Sequence, residues 1–401
     1  MTFIEEYLKY TYPAEGPESF FRWALHTAIG AVMRDNCWVN TTEGPIYPNL
    51  YTVLLSTKSS AVRKNLPMKL AYNLVKHIEN THIVSGRASL PGIVKVLTSM
   101  KTTSNGHQIK DASGFLFSRE LTGLLHKDPD TIDQLTDWYD FAEELDIVLK
   151  GEMEASGGVL TLKNLCISLL GATNDANIPE FYTKRAQSGG LLARSVIVRE
   201  SKRKHIKSYL EAETLGDFSY FEKTFEEFAN LKGPITLDDN ARAEHISWYN
   251  SITDEKISST GIEGRIQTHA LKVAMHCAIA NRREQNIKIE DIQYGIDQCV
   301  KLLPNYKILS QTIAVSDNVK VGALFLRELL LAKDYTLSIK QLLQRLWVEG
   351  LDKEELDKIL ATYEEAGLIE LGRDTAKQEI VITLTEVALE KYREKTGEKE
   401  I

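Results

Sequence analysis

The chain has 401 residues, 43% hydrophobic and 26% charged, which is enough for two to four domains with real cores, and no apolar run approaches the ~20 residues of a membrane-spanning helix. A formal net charge of −8 excludes a protein that coats nucleic acid over its whole surface, while leaving room for a local basic channel. Cys37, Cys166, Cys277 and Cys299 are scattered without a CxxC or Cys/His cluster, so they read as buried thiols of a reducing, cytoplasmic compartment rather than zinc ligands. The start, Met-Thr-Phe-Ile-Glu-Glu, has no basic n-region, so no signal peptide is expected.

In chain order, Phe20, Phe21, Ala24, Leu25, Ala28, Ile29 and Val32 share one face and predict helix over 3–39. The loop 41–48 leads into an apolar, β-rich run from Leu50 that ends in small polar residues at Ser59 and Ser60. Arg63, Lys64 and Asn65 then open an amphipathic helix. Strand, tight loop, lysine, helix is the order a phosphate-cradling loop needs, because loop N–H groups and the helix N-terminus face the anion and the lysine reaches the terminal phosphates. The spacing is atypical: the positions usually held by glycine carry Lys58 and Arg63, and the usual Ser/Thr is Asn65. A buried strand followed by a surface helix that starts with Arg-Lys fits the same residues.

Further on, 82–85 reads as a short strand and Ser89 as the cap of another helix. Residues 113–118 form a buried strand ending at Arg119 and Glu120. A helix is predicted from about 130 to 144, then a hairpin over 147–163 that carries Lys150 and Lys163, then a strand at 165–170 running into Asn174. A helix near 178–187 precedes Arg194 and a strand at 195–198. Buried strands alternating with helices imply a mainly parallel α/β sheet, and Lys64, Glu120 and Asn174 each follow the carboxyl end of a predicted strand, where such sheets bind ligands.

From 209 to 315 the pattern is helical, with Arg265 ahead of an apolar helix over 266–280. His269 and His276 on that helix read as packing residues. The last segment predicts helices at 319–333, 337–347 and 352–366, the third stopped by Gly367, then two strands and a closing helix: the winged-helix order. The helix from 352 is acidic, which argues against major-groove reading and leaves Arg373 and Lys377 of the wing as the better DNA contacts. The expected division is an N-terminal helical segment (1–47), a core (48–208), a helical lid (209–315) and a winged-helix domain (316–401).

Together, Pro48-Asn49-Leu50, Ser59-Ser60 with Arg63-Lys64, Gly114 to Leu121, Leu170 to Asn174 and Gly189 to Arg194 resemble the P-loop ATPases of phage, plasmid and mobile-element replication, a group similar to superfamily III and MCM-like AAA+ helicases. The resemblance covers about residues 1–310. It implies an AAA+-like ATPase core and ATP-dependent helicase or initiator activity with ATP and Mg²⁺ as cofactors. The partners it implies are single-stranded DNA and a homo-oligomeric ring, expected to be a hexamer, with a primase or other replication protein as a further partner and no membrane. Ser59, Ser60, Arg63, Lys64 and Asn65 would bind nucleotide. Glu120 would be the general base, Asn174 would orient water, Arg194 would reach a neighbouring subunit's nucleotide and Arg265 would be a second sensor. Asn65 and Glu120 would serve the metal, and the 147–163 hairpin with Lys150 and Lys163 would contact DNA. Two positions depart from the family pattern. Arg119 stands where an acid is expected, and Asn65 is a poorer Mg²⁺ ligand than a carboxylate. Either Glu120 itself or a shifted acid such as Asp111 or Asp140 compensates, or the chain is a non-hydrolysing scaffold that binds DNA or loads a helicase.

Overall fold

Near-continuous apolar runs build one five-stranded sheet: β1 (Tyr51–Ser56), β2 (His82–Ser85), β3 (Gly114–Ser118), β4 (Ile167–Asn174) and β5 (Ser195–Glu200). Every pairing is parallel and the order is β5-β1-β4-β3-β2. Strands this uniformly apolar need cover on both faces, and β1 and β3 are buried along their whole length. The computed structural model describes residues 1–57, 62–86, 88–99, 101–102, 108–109, 111–121, 129–140, 142–148, 159–180, 182, 190–206, 215–253, 258, 261–346, 353–374 and 379–396. The chain divides into two units, Met1–Ile313 and Ala314–Ile401.

Register sets what the sheet offers. Ser56 at the end of β1 lies opposite both Asn174 of β4 and Glu200 of β5, while Tyr51 at its start lies opposite Leu169 and Ser195. The chain leaves β1 for the far edge at β2, returns through β3 to β4 beside β1, and then crosses to β5 on the other side of β1. Connections therefore depart from the neighbouring β1 and β4 in opposite directions, and the crevice at their carboxyl ends is where an open α/β sheet takes a ligand.

Helix Glu18–Met33 is buried along most of its length and is tied to β1 by the Thr27 hydroxyl, which donates to Thr52 Oγ1 at 2.7 Å. Helix Asn65–Lys76 keeps Pro67, Met68, Leu70, Ala71, Leu74 and Val75 inward. Helix Ile262–Arg282 is closely backed by helix Ile289–Val300, where a Cβ at Gly295 would stand 2.3 Å from the Ala270 carbonyl oxygen, so only glycine permits the approach. The edge strand β5 is covered: Asn305 donates to the Ile197 carbonyl at 2.9 Å, and the Tyr306 hydroxyl donates to the Ser195 carbonyl.

Several element boundaries differ from expectation. The N-terminal helix is two, Phe3–Tyr10 and Glu18–Met33. It ends where Arg34 takes φ +51, and Cys37–Thr41 continues as strand. The helix expected to 144 stops at Tyr139, and Ala142–Val148 pairs antiparallel with Val159–Leu165. Glu144 and Asp146 lie on that strand, and the cross-strand pairings outweigh their helical spacing. Around 178 the chain makes a 3₁₀ stretch, Asp175–Glu180, with 183–189 outside the described residues. The Ser89 cap is present, its hydroxyl accepting from Gly92 N at 3.3 Å.

The second unit has its own core, centred on Phe325, Leu329, Leu342, Leu356, Ile369 and Ile382. Helices Ile339–Leu346, Lys353–Glu365 and Glu386–Thr396 accompany a three-stranded antiparallel sheet, Thr336–Ser338, Glu379–Leu384 and Ile369–Asp374, with Glu379–Leu384 central. The strand Thr336–Ser338 lies where helix was expected to begin at 337. Gly367, at φ +65, closes helix Lys353–Glu365 as anticipated: its N–H bonds the Glu364 carbonyl and the next N–H, Leu368, bonds that of Tyr363. The boundary between the units falls within helix Leu303–Leu330. Among the described residues no helix is long and apolar enough to cross a membrane. All four cysteines are free and buried, as their spacing implied.

Candidate active site

Lys64 precedes helix Asn65–Lys76, and its side chain turns back over the carboxyl ends of β1 and β4. Its ammonium donates to Ser56 Oγ at 2.9 Å, to Asn174 Oδ1 at 2.8 Å and to the Thr173 carbonyl. Ser56 also donates to Asn174 Oδ1 at 3.0 Å. An ammonium has three protons, so the bonds fix it in place. Burial pushes the Lys64 pKa down to about 8, against the opposing pull of Glu120 and Asp175. A half-buried cation fixed at a topological switch point, with two carboxylates near enough to act on it, is suited to binding an anion.

Glu120 is exposed, two residues past β3, and its carbonyl accepts from Ser118 Oγ at 2.7 Å. Asn65 is exposed in the first helical turn. The fork of Arg199 on β5 grips Asp175 Oδ2 at 2.7 and 3.0 Å, while Asp175 Oδ1 is buried and has no hydrogen-bond partner among the described residues. Mg²⁺ takes one or two carboxylates and fills its other positions with water and phosphate oxygens, so Glu120 and Asp175 suit it chemically. Among the described residues no group of three or more His, Cys, Asp or Glu could hold a metal by itself.

Not every expected residue gathers here. Ser59 and Ser60 lie outside the described residues. Arg63 does not join Lys64: with φ +56 its guanidinium turns to Glu15, Nε to Oε2 at 2.6 Å. Neither shifted acid, Asp111 or Asp140, joins Lys64. Asp111 precedes β3 and accepts from Asn164 Nδ2 at 2.8 Å, and Asp140 is bound to arginine. Two of the described cations that follow β5 are paired. Arg203 pairs with Glu15 at 3.2 Å, and Lys204 lies 3.6 Å from Glu18 and 3.8 Å above the Tyr12 ring.

A second cluster occupies the opposite end of the sheet. Arg194 ends the short helix Leu191–Arg194 immediately before β5, on the side of Tyr51 and Ser195. Five strand residues at about 3.3 Å each put roughly 16 Å of sheet between that edge and the Lys64 end. Asp140 accepts from Arg194 at 2.9 Å through Oδ2 and from Arg265 at 3.2 Å through Oδ1. Burial works against ionising Asp140, but Arg194, Arg265 and Lys272 outweigh it and hold its pKa below the usual value.

Beside them Lys272 is buried, donating to the Asn49 carbonyl at 2.9 Å and to Asn49 Oδ1 at 2.8 Å, with its ammonium 4.0 Å above the Tyr139 ring. Burial lowers its pKa to about 7. His269 and His276 are packing residues, both buried and lowered to about 3 by desolvation, and His276 Nε2 lies 2.8 Å from the Pro48 carbonyl.

Of the DNA-contact candidates, Lys163 is exposed and pairs across its hairpin with Glu144 at 2.9 Å. Lys150 and Lys377 lie outside the described residues. Arg373 is exposed on strand Ile369–Asp374, opposite Ile380.

Sequence reasoning missed Ser56, Asp175, Arg199 and Lys272, and it considered Asp140 for the metal rather than for the arginines it binds. Only Lys272 left a signal, as one cation inside an apolar run from Ala270 to Ala280. No protein-family model matches the chain, and a search of curated proteins finds no match.

Proposed function

We propose that the chain is an ATP-hydrolysing P-loop protein of the AAA+-like kind, working as a ring on single-stranded DNA in replication of a mobile element and carrying a C-terminal winged-helix domain. The observation that carries this reading is the Lys64 ammonium held across the ends of β1 and β4, with Asn174 as a shared partner and Glu120 at the end of the neighbouring β3. In this reading an arriving phosphate takes over protons that Lys64 now gives to Ser56, Thr173 and Asn174. Asn174, released from Lys64, is left facing the attacking water. Glu120 accepts the water's proton, and an exposed carboxylate does so on arrival of substrate. Bound Mg²⁺ would draw charge from the phosphate oxygens, with Glu120 and Asp175 as its protein partners. Arg194, at the far end of the sheet from its own Lys64, serves a neighbouring subunit.

The runner-up is a scaffold that binds nucleotide without hydrolysing it. It is favoured by Arg119 and Asn65, both exposed where carboxylate or hydroxyl chemistry is wanted, and by a Lys64 already satisfied within the protein. Phosphate release measured with MgATP, with and without single-stranded DNA, separates the two. Mg²⁺-dependent turnover that Lys64→Ala abolishes supports the enzyme. Nucleotide binding with no turnover supports the scaffold, and absence of both overturns the P-loop assignment.

A further inference from the structure

Asp140 is the one acid, among the described residues, that pairs with either Arg194 or Arg265, and it pairs with both. The two arginines come from distant segments, one ahead of β5 and the other on helix Ile262–Arg282, and each takes a different carboxylate oxygen. Two guanidinium groups brought to one place repel each other, and a carboxylate between them removes that repulsion while setting their angle. The lowered pKa keeps Asp140 ionised at neutral pH.

Arg194 is further pinned by its own loop. Its Nη1 donates to the Gly190 carbonyl at 3.3 Å, and Gly190 sits at φ +84, where a Cβ would come 2.7 Å from that same nitrogen. Only glycine gives both the left-handed turn and the space. The Arg194 side chain is only 16% exposed, against 36% for Arg265 and 55% for Asp140, so one arginine is anchored and the other is held to it from a more open position. Each guanidinium has five N–H groups. Among the described residues Arg194 spends three of its hydrogen bonds on Asp140 and Gly190, and Arg265 spends one on Asp140, which leaves donors on both for a further anion.

We propose that Asp140 is a positioning residue that binds Arg194 and Arg265 into a single phosphate-recognising fork, so that the nucleotide of a neighbouring subunit is met by both arginines together. This rests on the ring ATPase reading above. Asp140 does not touch the phosphate; it acts through the two arginines, and its charge rather than its shape is what the fork needs.

The test uses the full chain with Asp140→Asn, Asp140→Glu, Arg265→Ala and the double variant Asp140→Asn/Arg265→Ala. Affinity for MgATP should change little beside kcat in all, because the Lys64 end that holds the bound nucleotide is intact and the fork acts on the charge that develops on the transferring phosphate. The asparagine variant should lose about 10- to 100-fold in kcat, the range seen when a residue that orients a functional group is removed. KM should barely move. Asp140→Glu should recover part of the rate, and the double variant should be no slower than Arg265→Ala, since the pair acts as a unit. An unchanged or faster Asp140→Asn enzyme, or losses that multiply in the double variant, overturns the proposal. Labelling with phenylglyoxal, read by mass spectrometry, tests the positioning without any turnover. Arg194 and Arg265 should both become several-fold more reactive in Asp140→Asn, and unchanged labelling overturns the fork even if the wild-type chain proves not to hydrolyse ATP. In that case absence of turnover counts against the ATPase reading alone.

Discussion

The two ends of the central sheet hold cations in opposite ways. At the carboxyl end a single lysine is bonded to neutral oxygens, and burial brings its pKa to about 8. At the amino end two arginines share one ionised carboxylate, with a buried lysine beside them. A lysine is a compact charge whose protonation depends on its surroundings, whereas a guanidinium stays charged and presents a fixed fork. Under the proposed function the two ends divide the work: the lysine end accepts an anion by exchanging weak neutral partners, and the arginine end presents its charge to a neighbouring subunit without losing it.

The largest expected effect tests whether the carboxyl end does the binding. Lys64→Ala should abolish hydrolysis, by on the order of 10²- to 10³-fold or more, and weaken nucleotide binding, because it removes a preorganised cation from the transferring phosphate. Steady-state turnover and nucleotide titration report both quantities, and normal turnover would break the contrast. Arg194→Ala should cost hydrolysis on the order of 10³-fold, the scale of an arginine supplied in trans, while leaving nucleotide affinity intact. Loss of affinity in that variant would mean that the two ends are not separate in function. Glu120→Gln should bind MgATP normally and turn it over slowly, since the amide keeps the shape and loses the basicity. Normal single-turnover hydrolysis would leave Glu120 as an ordinary exposed acid.

Smaller and more diagnostic is the pH response. Below about pH 8 Lys64 carries its proton in the free protein, and above it the proton leaves. Nucleotide affinity should therefore be flat up to about pH 8 and then fall by up to about tenfold per pH unit, since bound phosphate holds the proton that the free site has lost. An arginine substituted at position 64 stays charged and should flatten the curve. A wild-type affinity level to pH 10 would contradict the half-buried environment of the lysine. The smallest effect belongs to Lys163, whose pairing with Glu144 is open to solvent and screened by it. Lys163→Ala should leave thermal stability almost unchanged and lower the salt slope of single-stranded DNA binding by less than one. An unaltered slope would remove Lys163 from the interface.

The sheet was the legible part of this chain. Runs such as Tyr51–Ser56 and Ile167–Asn174 are short, apolar and bounded by turn residues, which marks buried strands, and a period of 3.6 marks the helices between them. Lys64, Glu120 and Asn174 were legible for the same reason, because position after a strand end is a property of the sequence. Their partners were not. Asp140 and Arg265 meet across more than a hundred residues, and no local pattern encodes which arginine an acid will find. Arg63 shows the converse: next to Lys64 in sequence, it leaves for Glu15 because its left-handed backbone sends it another way. The helix expected to 144 failed because Glu144 and Asp146 suit a solvent-facing strand once Val159–Leu165 is there to pair.

In the proposed ring the two ends of the sheet, on neighbouring subunits, make one catalytic site. This pairing is tested most directly by mixing Lys64→Ala protein with Arg194→Ala protein and measuring MgATP turnover. Each variant alone should be nearly inactive. In mixed assemblies some intact Lys64 sites of the Arg194→Ala subunits face the intact Arg194 of the Lys64→Ala subunits, so activity should return to a fraction of wild type that depends on the mixing ratio. No recovery at any ratio, while fluorescently labelled subunits are seen to exchange into common assemblies, would contradict the account.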